Sequence, residues 1–166
     1  MKTNANSLEQ QIISTLDLAV NYLHEHKIYS DKNWTSYFKE TLAELGKTHE
    51  NEICTSGFTD IYNSEWLYDM VWYKNEKGYL SEVSLVVESE WGSHINQIKF
   101  DFEKLLSSNS IHRLMICQSH SSNLEKLINC FDEAINHYKQ NKPGDRYLVA
   151  ILDKTDEEFC YEVFQK

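Results

Sequence analysis

The sequence predicts an α/β fold with a mixed central sheet flanked by helices, in the order ααββαβαββ, on three observations. Apolar residues recur at helical spacing up to Gly46; aromatic and β-favouring residues replace them between Glu65 and Glu90; beyond Ser93, helical stretches alternate with short apolar runs. Helices that separate buried runs lead to parallel strands and a hairpin adds antiparallel ones, so the sheet is mixed.

The first helix rests on Leu8, Ile12, Ile13, Leu16, Ala19, Val20 and Leu23, and ends in the polar HEHK before Ile28. The second starts after Asn33, read as its N-cap, with Trp34, Tyr37, Phe38, Leu42 and Leu45 on one stripe and Gly46 near its end. Residues 65–73 (EWLYDMVWY) and 82–90 (EVSLVVESE) read as two strands of a hairpin across the loop that holds Gly78. Residues 93–108 return to helical spacing through Ile95, Ile98, Phe102, Leu105 and Leu106. A strand at 111–118, a helix at 124–138, a turn at 141–144 and strands at 146–153 and 159–164 follow.

A chain of 166 residues with one proline, Pro143, and no repeat or low-complexity tract reads as a single domain spanning 1–166, with residues 1–30 as an N-terminal helical extension. No apolar run approaches the ~20 residues that a membrane span needs, and MKTNANSLEQ lacks the apolar core of a secretory signal. A cytoplasmic location is expected. Cys54, Cys117, Cys130 and Cys160 are scattered, without a CxxC pair or zinc-finger spacing, and read as reduced thiols. A net charge of −10 argues against a broad nucleic-acid surface, which needs clustered Lys and Arg, yet leaves room for a local basic groove.

Chemistry concentrates at VVESEWG, where an apolar run closes on two acids. Residues two apart on a strand share a face, so Glu88 and Glu90 project together. Across the hairpin, a tight turn sets Asp69 opposite Ser84 and Glu65 opposite Glu88; a longer loop sets Asp69 opposite Glu88. Either register leaves Asp69 on the Glu88 face, with Glu65 as a reserve acid. Carboxylates that converge repel one another unless a cation lies between them, and a hard divalent ion with oxygen ligands answers that need.

An acid on one strand of a hairpin, an acid on the next, a functional residue two positions on and then a helix: this constellation, over residues 33–153, resembles the PD-(D/E)XK nuclease superfamily, the restriction-endonuclease-like fold. The resemblance implies a phosphodiesterase that depends on Mg²⁺ or Mn²⁺, with Asp69 as the first acid, Glu88 as the second and Glu90 in the place of the motif lysine. It implies metal held by Asp69, Glu88 and Glu90, and a nucleic-acid substrate, DNA before RNA. Some members carry the lysine on the following helix, where FDFEKLL offers Lys104; measured against the Ile95, Ile98, Phe102 and Leu106 stripe, Lys104 falls on the opposite side, which predicts a solvated head. Members also borrow a glutamate from the helix before the hairpin, a place held here by Glu44 or Glu40. Whether Glu90 or Lys104 replaces the motif lysine stays open at this point.

His24 and His26 lie ~200° apart on a helix and cannot chelate one ion. His94 stands at a helix entry, Trp66 and Trp72 suit a core, and Trp91 suits either packing or base stacking. Without a Ser-His-Asp order or a glycine-rich phosphate loop, acyl transfer and ATP-dependent chemistry are set aside. The rival reading is an acidic binding module, a degenerate nuclease fold that docks a basic protein as antitoxins and immunity proteins do. A homodimer would let so small a domain reach both strands of a duplex.

Overall fold

A computed structural model describes residues 1–56, 66–92 and 94–166. Its elements run α1 (Ser7–Glu25), α2 (Asp31–Thr48), β1 (Glu52–Thr55), β2 (Met70–Glu76), β3 (Tyr79–Glu90), α3 (Ile95–Leu106), β4 (His112–Ser119), α4 (Leu124–His137), β5 (Arg146–Asp153) and β6 (Phe159–Gln165), with a 3₁₀ turn at Ser121–Asn123. The six strands form one sheet whose spatial order is their chain order. β3, β4 and β5 are parallel, while β1, β2 and β6 pair antiparallel, so the sheet is mixed.

Each face of the sheet carries two helices. Ile12, Leu16, Leu23, Phe38 and Leu42 of α1 and α2 pack on Ile53, Met70, Trp72, Leu85, Val87, Leu114 and Ile116. On the other face Ile98, Phe102 and Leu105 of α3 and Phe131 and Ile135 of α4 pack on Val71, Val86, Met115, Cys117 and Val149. The two apolar sets alternate along each strand because successive side chains point to opposite faces. The first helix, read from the sequence as an extension, thus lies within one of the two core layers. Among the described residues no helix is long and apolar enough to cross a membrane, and all four cysteines are free thiols.

Three local readings change. The second helix is capped by Ser30, whose hydroxyl accepts from the Asn33 amide, so Asn33 stands inside the first turn. β1 adds a strand that the sequence order lacked: at four residues, with a single Ile-Cys pair between Glu52 and Thr55, it is too short to show a period. The first hairpin strand begins at Met70 and runs on to Glu76, and the reserve acid Glu65 lies outside the described residues.

Gly46 does not end its helix, which continues to Thr48. A Cβ there would meet Ile53 Cδ1 at 2.6 Å and the Trp72 ring at 2.7 and 2.9 Å, so the missing side chain lets α2 press against the sheet. Gly46→Ala is therefore expected to destabilise the protein by about 1–3 kcal/mol through overpacking, against a helix-propensity gain of about 1 kcal/mol. Urea denaturation checks this; an unchanged or raised midpoint refutes it.

The hairpin sets the register of the acids. Its turn is Lys77–Gly78, with φ of +54° and +83°, the geometry that a two-residue hairpin favours. Glu76 faces Tyr79 and Asn75 faces Leu80, yet Met70 faces Val87. Two irregularities absorb the difference, leaving Ser84 and Ser81 as unpaired extra residues on β3. Their hydroxyls donate to Asn51 Oδ1 at 2.7 Å and to the Lys74 carbonyl at 3.0 Å. A tight turn thereby reaches the register assigned above to a longer loop.

Candidate functional site

The C-terminal end of β3 gathers the ionisable groups. The apolar alternation of the strand ends here: Val86 and Val87 are buried on opposite faces, and Glu88 follows in the α3-facing layer with only 2 % of its surface exposed. Burial of a carboxylate demands compensation. One oxygen obtains it, because Lys104 of α3 places Nζ 2.7 Å from Glu88 Oε2. The other, Oε1, is buried without a hydrogen-bond partner among the described residues.

Lys104 is thus not turned away from the site, as its place against the stripe predicted. Leu105 is buried along with Ile98, Phe102 and Leu106, which shifts the buried face toward the Lys104 side, and the long lysine stem spans the remaining distance. Its Nζ also lies 3.3 Å from Asp101 Oδ1, one turn earlier on α3. In the sequence Asp101 reads as one more helix acid. Its only signal is a position three residues after Ile98 and three before Lys104, on the flank of the apolar stripe.

The charges show in the proton affinities. Burial raises the Glu88 pKa to about 7; the Lys104 hydrogen bond opposes this, and the nearby Asp69 and Asp101 charges add to it. For Lys104, burial works to lower the pKa, but the Glu88 and Asp101 carboxylates override it and the net shift is upward. Lys104 therefore stays an ammonium at neutral pH. Tyr68, partly buried on the same face, has its pKa raised by burial while the Ser107 hydroxyl pulls it down.

Asp69 takes a different direction from the one its register suggested. β2 starts only at Met70, and residues 67–69 are bends, so strand alternation no longer governs the side chain. The Asp69 carboxylate accepts from the Ser89 amide and the Ser89 hydroxyl, both at 2.8 Å on Oδ2. Its Oδ1 lies 3.6 Å from Lys39 Nζ of α2. Ser89 and Lys39, like Asp101, carry no motif that marks them in the sequence.

Glu90 shares no partner with either acid: its carboxylate turns back to accept from the Gly92 amide. Among the described residues, no three His, Cys, Asp or Glu side chains gather as a set able to hold a metal ion. The three-acid cluster of Asp69, Glu88 and Glu90 expected from the sequence is thus not assembled. The physical reason is that each carboxylate finds a nearer donor: Ser89, Lys104 and the Gly92 backbone.

The other candidates are also placed. Glu44 pairs with Lys47 at 2.6 Å on the surface, and Glu40 is exposed. His94 is exposed at the N-cap of α3, with no side-chain capping bond. Trp72 is fully buried, Trp91 stacks on Phe38 with centroids 5.8 Å apart, and Trp66, which suited a core, is 46 % exposed.

No protein-family model matches this chain, and no curated protein or solved structure matches it either. The chemistry of the site then rests on its own geometry. A hard cation would meet one open carboxylate oxygen at Glu88, with the Asp69 charge near enough to raise the Glu88 pKa. Such an ion is often held by one or two carboxylates and several waters. Glu88 fits that requirement and Glu90 does not; Asp69, held by Ser89 and by Lys39 of α2, lies on the other face of the sheet from Glu88.

Proposed function

We propose that the protein is a divalent-metal-dependent phosphodiesterase acting on nucleic acid, with its site at the C-terminal end of β3 and the restriction-endonuclease-like fold as its scaffold. The observation that carries the reading is Lys104 Nζ at 2.7 Å from a buried Glu88 whose second oxygen has no partner. A carboxylate burial this costly suits a site that must meet a cation more than it suits the core. A hairpin whose second strand carries Glu88, followed by a helix that returns a lysine to it, supports the resemblance drawn from the sequence.

In this reading Glu88 would hold Mg²⁺ or Mn²⁺, whose chemistry is to lower the pKa of a bound water and to offset charge at the phosphate. Lys104, an ammonium at neutral pH, donates to a non-bridging phosphate oxygen and stabilises the charge that builds there. Because its pKa is raised, it does not act as the base that deprotonates water. Lys39 holds Asp69 near the strand end. Glu90 is left to shape the turn after β3 through Gly92.

Calorimetric titration of Mn²⁺ into the wild type, Glu88→Gln and Asp69→Asn tests the reading. The expected result is binding in the wild type, its loss in Glu88→Gln, since ligand charge sets the affinity of such sites, and a smaller effect in Asp69→Asn, whose carboxylate is engaged by Ser89 and Lys39. Binding indifferent to Glu88→Gln overturns it. The second reading, an acidic module for a basic protein, is favoured by the net charge of −10. It gains the first place if Mn²⁺ does not bind, and it then requires association with the partner to slow at high salt.

A further inference from the structure

We propose that Asp101 is the acid that completes the cation site with Glu88, and that the Lys104 ammonium occupies the cation's place until a divalent ion displaces it. The inference rests on the phosphodiesterase reading above and changes its ligand set. Two carboxylates from different elements, Glu88 on β3 and Asp101 on α3, converge on one positive point: their Oε2 and Oδ1 lie 2.7 and 3.3 Å from the same Nζ. Neither helix geometry nor strand geometry requires this meeting. Lys104 could satisfy Asp101 alone as an ordinary i,i+3 pair on the surface.

The ammonium is an incomplete answer to the charge it faces. One unit of positive charge stands against two carboxylates, and Glu88 Oε1 stays buried without a partner. A divalent ion would balance both acids and give the free oxygen a partner. The lysine is also the member of the trio that can leave. Its side chain is 35 % exposed, against 3 % for Glu88 and 18 % for Asp101, and its flexible stem lets the head swing outward. Once displaced, the same ammonium stands at the mouth of the site, where a phosphodiester would arrive. Glu90, bonded to the Gly92 amide, has no part in this set.

Mn²⁺ titration with three further variants decides the matter, after circular dichroism confirms that each is folded. Asp101→Asn is expected to weaken Mn²⁺ binding at least about tenfold. Lys104→Met, which removes the competing ammonium, is expected to tighten it several-fold. Glu103→Gln, a neighbouring acid that pairs with Lys99 on the exposed side of α3, is expected to bind as the wild type does. Paramagnetic broadening of backbone amide signals should centre on Glu88 and Asp101. Wild-type binding that Glu88→Gln abolishes but Asp101→Asn leaves intact, or Lys104→Met binding more weakly than the wild type, overturns the inference and leaves the phosphodiesterase reading standing. Absence of Mn²⁺ binding in both the wild type and Lys104→Met overturns the two together.

Discussion

Glu88→Gln is expected to make the protein more stable at pH 8, by about 3 kcal/mol, and no more stable than the wild type near pH 4. The sign follows from proton linkage. In the unfolded chain Glu88 titrates near its ordinary 4.5, whereas burial raises it to about 7 in the folded protein. Between these values the native state holds a proton that the unfolded state has lost, so native stability falls as pH rises. At 1.36 kcal/mol for each pH unit the fall amounts to about 3 kcal/mol, complete once pH passes 7. A glutamine mimics the protonated acid and escapes the loss. Urea denaturation of both proteins from pH 4 to 8 reads the difference, in which other titrating groups such as His112 cancel. Parallel stability curves for the two proteins would mean that Glu88 is not strained by its surroundings.

Arg146→Met is expected to destabilise the protein by about 3–5 kcal/mol, the usual result of removing one partner of a buried ion pair. Glu9 of α1 is 2 % exposed, and the Arg146 guanidinium grips it with both prongs, Nε to Oε1 at 2.8 Å and Nη2 to Oε2 at 2.6 Å. The same carboxylate accepts from the Asn6 amide, so it also closes the capping box of the first helix. Without the arginine a charge remains in the core with the Asn6 amide as its remaining hydrogen-bond donor among the described residues. A companion Glu9→Gln change should recover a large part of the loss, since it removes the charge and keeps an acceptor for Asn6. In thermal unfolding the single variant should melt about 10 °C lower. A shift within about 2 °C, the effect of less than 1 kcal/mol, would show that the pair contributes little and that the helix is held by its apolar face alone.

How much of this was legible in the sequence depends on whether a feature lives in one segment or between two. α1, α3 and α4 follow from apolar periods that a single segment displays, and β5, Arg146–Asp153, keeps the limits that its apolar run suggests. β1 is hidden because four residues cannot display a period. The two serine bulges are hidden because a bulge exists only in relation to a partner strand. The site divides in the same way. Glu88 and its burial side can be read from the alternation of one strand, and the shared face of Glu88 and Glu90 holds, yet the turn after β3 redirects Glu90 toward Gly92. Strand alternation carried one residue past the true start of β2 misplaces Asp69, which three bends release toward Ser89 and Lys39. Lys104 meets Glu88 from a helix whose buried face includes Leu105, a face that a helical wheel drawn from the other apolar residues misjudges.

The plain spatial order of the sheet has a kinetic side. Every strand from β2 to β6 pairs with the one that precedes it in the chain, so each can add to an existing edge as the chain grows, across a tight turn between β2 and β3 and across helical connections between the parallel strands. The first helix cannot follow that schedule. Its Glu9 finds Arg146 only when β5 has been formed, and burying that carboxylate earlier would strand a charge. The Glu9–Arg146 pair thus ties the first helix to a strand 137 positions further along the chain, and α1 gains this partner only once β5 is in place.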